Sequence, residues 1–126
     1  MNSANTLNLD VSTQVNQSNY QGASARAIQH HYDVGNDFYQ LWLDSTLSYS
    51  SALWEENEGY ENLELAQLRK LDFYINQARA KATQRDLEIG SGWGALSKRL
   101  VEVNDVEKVT TLTLSKAQLE HIKSWQ

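Results

Sequence analysis

The chain contains no cysteine, and it also lacks an excess of basic residues and the residue spacing of a common metal site. Without cysteine, disulfide bonds and cysteine-ligated metals are excluded. The three histidines include the adjacent pair His30 and His31, whose spacing does not suit zinc, so we expect no metal site. The net charge of −5 over 126 residues disfavours a dedicated nucleic-acid-binding protein. It also gives no general attraction to anionic lipid, although a local basic face stays open.

Long hydrophobic runs are absent from the sequence as well. No apolar stretch approaches the roughly 20 residues that a membrane-spanning helix needs, and the N-terminus has no hydrophobic signal core. We therefore expect a cytoplasmic protein without a transmembrane segment, with peripheral contact at the inner membrane surface as an open option. The length corresponds to one small domain or to a part of a larger one.

The first part of the chain has few large apolar residues. Residues 1–24 are rich in Asn, Ser, Gln and Thr, which predicts a flexible polar tail. Disorder without function and a lid over a bound ligand are both open for this tail. Residues 25–84 predict a mainly helical segment, which begins with a short amphipathic helix because Phe38, Leu41 and Trp42 fall at helical spacing.

A longer helix is predicted from about residue 62 to about residue 80, because apolar side chains recur there at helical spacing. The side that we expect to be buried carries Leu65, Leu68, Leu71, Ile75 and Ala78. The opposite side, which we expect to face water, carries Glu64, Arg69, Lys70, Gln77 and Arg79.

The most informative segment is Asp86-Leu-Glu-Ile-Gly-Ser-Gly-Trp-Gly94. A short apolar run ends at Ile89, three glycines follow at alternate positions, and a helical pattern begins near Trp93. Because glycine has no Cβ, the chain can turn sharply and a ligand can approach the backbone closely. A strand, a glycine turn and a helix start together form a nucleotide-binding βα unit. An adenosyl cofactor over the turn and a tight turn without a ligand both satisfy the pattern.

A second strand and a second helix are predicted downstream. Lys108-Val-Thr-Thr-Leu-Thr-Leu114 is rich in β-branched residues and predicts a strand. Ser115, with Gln118 three residues later, has the pattern of a capping box at the start of a helix. Residues 85–126 therefore predict strand, helix, strand and helix, which is the opening of a doubly wound α/β domain.

The end of the second strand indicates which cofactor fits. A nicotinamide dinucleotide needs an acidic residue about 20 positions after the glycines, at the end of that strand, to hold the ribose diol. Here the strand ends in Thr113-Leu-Ser115, so the nicotinamide interpretation is weakened. Binding of a ribose would then fall to neutral side chains such as Thr113 and Gln118, for which strand packing and helix capping are the alternative roles.

Several motifs occur in one order along the chain. They are His31-Tyr-Asp-Val-Gly-Asn-Asp-Phe-Tyr39, Leu43-Asp44, Tyr49-Ser-Ser-Ala52, Ala66-Gln67 with Lys70, Leu87-Glu-Ile-Gly-Ser-Gly-Trp-Gly94 and Thr113-Leu-Ser-Lys-Ala-Gln118. In this order they resemble the cyclopropane-fatty-acyl-phospholipid synthases and the mycolic acid cyclopropane synthases, which are S-adenosylmethionine-dependent methyltransferases. The resemblance covers about residues 28–126. It implies the N-terminal part of a Rossmann-like class I methyltransferase fold, with residues 25–84 as a cover and residues 85–126 as the start of the cofactor-binding domain.

The resemblance also implies which residues bind S-adenosylmethionine, the expected cofactor. Tyr49 and Ser50 match the pair at the methionine end, and Tyr32 matches a tyrosine of the N-terminal segment that covers the cofactor. The other expected cofactor-binding residues are Glu88, Gly90, Gly92, Trp93 and Gly94 in the glycine segment and Thr113, Leu114 and Gln118 around the ribose. For Tyr32 and Tyr49 the alternative is half-buried packing, and for Glu88 it is a structural role instead of orienting the glycine loop.

The family reaction transfers a methyl group to a cis double bond of a lipid acyl chain, which is therefore the expected substrate. We expect the acyl-chain site and the catalytic residues downstream of Gln126, so that the chain alone is inactive and needs a complementing C-terminal half or a homo-oligomer. A non-catalytic S-adenosylmethionine-binding module and a non-functional truncated remnant are the alternatives. The chain departs from the family pattern in having no proline, and in having Ser51 and Ser91 where cysteine is frequent.

Overall fold

The computed structural model describes residues 34–55 and 62–125, and within these ranges the helices and strands follow the order α-α-β-α-β-α. The elements are α1 (Asn36–Gln40), α2 (Leu63–Ala78), β1 (Asp86–Ile89), α3 (Ala95–Val103), β2 (Val109–Leu112) and α4 (Lys116–Lys123). The predicted tail at 1–24 and Tyr32 lie outside the described residues.

The strand–helix–strand–helix order predicted for the last third of the chain is confirmed. Helix α3 begins at Ala95, two residues later than predicted, because the glycine turn continues to Gly94, whose φ angle of 87° is left-handed. Strand β2 ends at Leu112 and not at Leu114. The chain leaves the sheet earlier because Thr113 already hydrogen bonds to the start of α4.

The two strands form a parallel sheet and are connected through α3. Strand β1 pairs with β2 along its whole length, from Asp86 opposite Val109 to Ile89 opposite Leu112. A buried core, drawn from α2, α3, β2 and the intervening loops, consists of Ile75, Ala80, Leu100, Val106 and Val109. Side chains alternate between the two faces of a strand. On one face of β1, Leu87 is 63% exposed and Ile89 is 78% exposed.

The buried face of helix α2 overlaps only in part with the face that apolar spacing predicts. Leu71 and Ile75 are buried as expected, but Leu65 and Ala78 are exposed, and Lys70 is buried instead of facing water. The full buried set is Ala66, Gln67, Lys70, Leu71 and Ile75. The prediction for these positions was wrong because part of the face packs through polar side chains that hydrogen bond to a loop, a contact that apolar periodicity does not detect.

Helix α1 is present as predicted, but its buried side chain is Tyr39. Phe38 and Trp42 are about half exposed and Leu41 is 82% exposed, so the predicted apolar face was wrong. Tyr39 packs against Trp93, with the ring centroids 4.6 Å apart. Helix α1 has five residues and buries one of them, Tyr39, whose ring contacts Trp93 of the glycine turn.

Candidate functional site

The glycine turn follows β1 at the carboxyl end of the two strands. Gly90 and Gly92 have positive φ angles of 85° and 54°, in the left-handed region that favours glycine. The backbone N–H groups of Gly90 and Ser91 both donate to the carbonyl oxygen of Leu112 at 2.9 Å, which fixes the turn against β2. A Cβ atom at Gly90 or Gly92 would meet no atom of the described residues within 4 Å, so open space lies over the turn.

A cavity of about 570 Å³ lies beside this turn, within the roughly 300–1,000 Å³ typical of small-molecule sites. Its walls come from the loop after α1, helix α2, the glycine turn and the chain between β2 and α4. The predicted site residues that line it are Tyr49, Ser50, Glu88, Gly90, Gly92, Trp93, Thr113, Leu114 and Gln118. Residues that are far apart in the sequence are thus brought together around one space.

A second cavity, of about 510 Å³, lies between the loop after α1 and helices α3 and α4. None of the predicted site residues in the described ranges lines it. The two basic side chains Arg99 and Lys98 that line it already have partners within the protein: Arg99 pairs with Asp72 at 2.6 Å, and the Lys98 ammonium lies 5.4 Å from the centroid of the Trp125 ring. We therefore take the cavity beside the glycine turn as the candidate site.

Gly94, although predicted to bind the cofactor, does not line the cavity. A Cβ atom at this position would lie 2.6 Å from Cη2 of Trp125 and 3.0 Å from Cγ1 of Ile122. The absence of a side chain therefore allows helix α4 to pack against the start of α3. In glycine-rich nucleotide-binding turns the third glycine commonly has this packing role.

Replacing Gly94 with alanine should destabilise the fold by about 2–5 kcal/mol, the sum of overpacking and left-handed strain. Gly92→Ala is the matched control, because Gly92 also has a left-handed φ angle, of 54°, but its Cβ would meet nothing within 4 Å in the described structure. The control should lose only about 1–2 kcal/mol of strain energy. Urea unfolding of the two variants measures the difference, and equal losses would contradict the packing role of Gly94.

Trp93 connects the glycine turn to helix α1. Its side chain is 1% exposed, and its Nε1–H donates to Oδ1 of Asn36 at 2.8 Å. The Asn36 amide nitrogen in turn donates to the carbonyl oxygen of Ala117 at the start of α4, at 3.3 Å. Trp93 therefore helps to shape the cavity wall and at the same time belongs to a buried cluster with Tyr39 and Leu47.

Tyr49 lies at the edge of the cavity and is 45% exposed. Its ring centroid is 5.4 Å from that of Tyr39 and 5.3 Å from that of Trp42. These contacts satisfy the half-buried packing alternative, while the exposed part of the ring remains available at the cavity.

The loop that carries Tyr49 and Ser50 is held by two polar side chains of α2. The Gln67 amide donates to the carbonyl oxygens of Ser48 at 3.3 Å and Ser50 at 2.9 Å. The Lys70 ammonium donates to Oγ of Ser50 at 2.7 Å and to Oε1 of Gln67 at 2.5 Å. Burial lowers the pKa of Lys70, and the carboxylate of Asp44 opposes this shift.

Lys70 and Gln67 are not among the site residues that the sequence predicts. The available signal was their presence together in one of the motifs that carry the family resemblance, the Ala66-Gln67 motif with Lys70. The amphipathic pattern instead assigned Lys70 to the water-facing side of α2. A buried lysine on a helix is indistinguishable in sequence from a surface lysine, because only the partner loop identifies it.

Glu88 lines the cavity, and its carboxylate accepts hydrogen bonds from elements other than the glycine turn. It accepts hydrogen bonds from the hydroxyl groups of Ser97 in α3 and Thr111 in β2, the latter at 2.9 Å. Burial raises its pKa, and the two hydrogen bonds act in the opposite direction. These bonds go to the flanking helix and strand and not to the turn, which favours the structural alternative, and the loop-orienting role stays a prediction.

Thr113, Ser115 and Gln118 form a small network at the start of α4. Oγ of Ser115 accepts from the backbone N–H of Gln118 at 3.3 Å, which is the expected half of a capping box. The Gln118 side chain does not complete the box: its Oε1 accepts from the Thr113 hydroxyl at 2.6 Å, and the backbone N–H of Ser115 donates to Thr113 Oγ1 at 3.2 Å. The side chain of Gln118 therefore hydrogen bonds to Thr113 at the cavity wall instead of capping the helix.

A match to a protein-family model assigns the chain to a family. The family model described as mycolic acid cyclopropane synthetase matches residues 19–125. The chain belongs to this family. Membership in the mycolic acid cyclopropane synthetase family confirms the resemblance drawn from the ordered motifs.

Curated and solved relatives agree with this assignment. A probable fatty acid methyltransferase of Pseudomonas putida is 40% identical over 104 residues, which are 82% of this chain and 26% of that protein. The structure of the cyclopropane synthase MmaA2 from Mycobacterium tuberculosis aligns with a TM-score of 0.73 and 38% identity, over 80% of this chain and 34% of that one. Coclaurine N-methyltransferase, solved with N-methylheliamine and SAH, aligns with a TM-score of 0.69 and 27% identity, over 76% of this chain and 27% of that one.

These alignments confirm the predicted fold class. The chain is α/β with a small parallel sheet, and it corresponds to part of the class I methyltransferase fold. It spans about a quarter to a third of the length of these members and neighbours of the mycolic acid cyclopropane synthetase family.

In the described part of the chain, neither a candidate metal site nor a membrane-spanning helix is present. Within residues 34–55 and 62–125, no group of three or more His, Cys, Asp or Glu side chains is close enough to hold a metal ion. No helix in the same ranges has the length and apolar character required to cross a membrane.

Proposed function

We propose that this chain is the S-adenosylmethionine-binding part of a methyltransferase of the cyclopropane-synthase type. The observation that carries the proposal is the single cavity shared by the glycine turn, Tyr49 with Ser50, and the segment from Thr113 to Gln118. SAH, present in the coclaurine N-methyltransferase structure, is the product that S-adenosylmethionine leaves after methyl transfer, which supports the choice of cofactor.

The chemistry of the lining residues fits this cofactor. An aromatic face such as that of Tyr49 attracts a sulfonium cation by roughly 0.5–2 kcal/mol. The Ser50 hydroxyl suits the cofactor's carboxylate. The open backbone at Gly90 and Gly92 suits close approach of the adenosine moiety.

The segment from Thr113 to Gln118, which also lines the cavity, offers groups for a ribose. Thr113 Oγ1 donates to the Gln118 side-chain oxygen, and this leaves the amide N–H groups of Gln118 without a hydrogen-bond partner in the described residues. An amide donor beside a hydroxyl group can bind the vicinal oxygens of a ribose. Leu114, which is 61% exposed at the same wall, would contact the base or sugar with apolar surface.

The proposal extends to the domain organisation and to Tyr32. Residues 25–84 would cover the bound cofactor and residues 85–126 would begin the domain that holds it. Tyr32, a residue outside the described part of the chain, keeps its predicted role on the N-terminal segment that covers the cofactor.

S-adenosylmethionine supplies an electrophilic methyl group when it is bound. The proposed acceptor is a cis double bond of a lipid acyl chain, which the fatty acid methyltransferase and the cyclopropane synthase among the relatives support. The acyl-chain site, the catalytic residues and turnover would depend on a complementing C-terminal half or on a homo-oligomer. Reaction on a lipid would occur at the inner membrane surface.

Isothermal titration of the purified chain with S-adenosylmethionine tests the proposal. We expect saturable one-to-one binding, similar binding of SAH, and no binding of NAD, because the end of β2 offers no acidic partner for a nicotinamide dinucleotide's ribose. A parallel assay with labelled S-adenosylmethionine and vesicles of cis-unsaturated phospholipid should show no methyl transfer by the chain alone. A folded chain, verified by circular dichroism, that binds no S-adenosylmethionine would refute the proposal.

A further inference from the structure

Lys70 is the one buried residue of the described cavity wall that carries a positive charge. Its side chain is 8% exposed. The ammonium donates to two neutral oxygens, Oγ of Ser50 and Oε1 of Gln67, and it forms no ion pair within 4 Å with a carboxylate of the described residues.

A buried ammonium without a counter-ion is unusual. Lysine is almost never fully buried unless it is paired, because the loss of hydration is costly to the charged form. Asp44 acts on Lys70 only from a distance, and its carboxylate oxygens already accept hydrogen bonds from the backbone and hydroxyl of Thr46 and from the backbone of Ser48. Among the described residues, the Lys70 ammonium therefore has no directly bound carboxylate, and it lies at the wall of an open cavity.

The charges around the cavity favour an anion near this lysine. The other titratable groups that line the cavity are Tyr49, Tyr74 and Glu88. Glu88 accepts hydrogen bonds from Ser97 and Thr111 and forms no ion pair with Lys70 within 4 Å, so it does not act as the counter-ion. The neighbouring cation, Arg69, pairs instead with Glu55 at 2.9 Å.

We propose that the Lys70 ammonium binds the carboxylate at the amino-acid end of S-adenosylmethionine, with the Ser50 hydroxyl beside it. This inference rests on the proposed function, since it names the group that recognises one end of the same ligand. Lys70 contacts Ser50, the chain neighbour of Tyr49, so the carboxylate would lie beside Ser50 and Tyr49 in the cavity. Gln67 is the positioning residue, because it holds both the Lys70 ammonium and the carbonyl oxygen of Ser50.

The test compares S-adenosylmethionine with its decarboxylated analogue, which keeps the adenosine, the sulfonium and the amine. Lys70→Gln, a neutral side chain that can still hydrogen bond to Ser50, should weaken binding of S-adenosylmethionine by about 10- to 100-fold, the range of a hydrogen bond to a charged group. Binding of the decarboxylated analogue should change by less than about threefold, because it has no carboxylate to lose. Titration calorimetry on the full chain measures both constants.

Arg69→Gln is the matched control, since it removes a positive charge from the adjacent position of α2 without touching the cavity. It should leave both affinities unchanged, and Lys70→Arg, which keeps a cation, should restore part of the preference for S-adenosylmethionine. A Lys70→Gln variant that weakens both ligands equally would show a merely structural role and overturn the inference.

The parent chain gives an answer even if Lys70→Gln does not fold. It should bind S-adenosylmethionine at least about tenfold more tightly than the decarboxylated analogue. Equal binding of the two ligands would overturn the inference but leave the proposed function intact, whereas binding of neither ligand would overturn both.

Discussion

Replacing Gly92 with valine should weaken binding of S-adenosylmethionine by at least about 100-fold, equivalent to roughly 2.7 kcal/mol of binding free energy. The Cβ of a side chain at this position would meet no atom of the described residues within 4 Å, so the valine methyl groups would occupy the open space over the turn. That space is where the cofactor has to approach the backbone. Calorimetric titration of the variant and the parent measures the effect.

The loss has to be separated from backbone strain, because the φ angle of Gly92 is 54° and a β-branched residue is disfavoured there. Ala82→Val is the matched control: Ala82 has a φ angle of 53° and is exposed, far from the cavity lining. Because Ala82 already bears a Cβ, this variant should lose only the part of the stability that β-branching costs at this φ angle, and it should keep its affinity. Binding by Gly92→Val at the parental level, at the same folded fraction, would show that the ligand does not lie over the turn.

The β-α-β-α part of the fold was predictable because its signals are local. A β-branched run, alternate glycines and the Ser115 cap each act within a few residues, and the structure has a strand, a left-handed turn and a helix start at these positions. The errors concern boundaries. The turn continues through Gly94, and β2 ends before Thr113, because tertiary hydrogen bonds and packing act on those residues.

The buried faces of the N-terminal helices were less predictable, because a partner decides them. Apolar spacing selected Leu65 and Leu41, which are 56% and 82% exposed, over Tyr39 and Lys70. Tyr39 is buried by the ring of Trp93, more than 50 positions away in sequence, and Lys70 by the loop at Ser50. Such contacts exist only after the chain has folded, so no period in the sequence encodes them.

In the candidate site, too, features encoded locally in the sequence were predictable, whereas features that depend on distant partners were not. The glycine turn and the residues after β2 were found from sequence because the backbone there has a recognisable form, and Tyr49 with Ser50 came from the family resemblance. Gly94 belongs to a glycine pattern that predicts ligand contact, but its missing side chain makes room for Ile122 and Trp125. Gln67, which holds the loop, was marked only by its place in a motif of the family resemblance, because the role of a buried amide is decided by its partners and not by its neighbours in the chain.

Replacing Trp93 with alanine should destabilise the fold by about 3–5 kcal/mol, the usual cost of removing a buried large aromatic side chain. The ring is 1% exposed and contacts Tyr39, and its loss would leave a void between helix α1 and the glycine turn. The hydrogen bond to Asn36 would also be lost. Since small domains are stable by only about 5–15 kcal/mol, the urea midpoint should fall far below that of the parent.

Two further variants separate the causes of this loss. Trp93→Phe keeps an aromatic ring beside Tyr39 and should cost less, with about 0.5–1.5 kcal/mol arising from the missing hydrogen bond to Asn36. Trp54→Ala makes the same chemical change at a side chain that is 52% exposed, and its effect should stay within about 0.5 kcal/mol. If Trp93→Ala and Trp54→Ala unfolded at the same urea concentration, the glycine turn would not depend on helix α1, and the cavity wall at Tyr49 would need another source of rigidity.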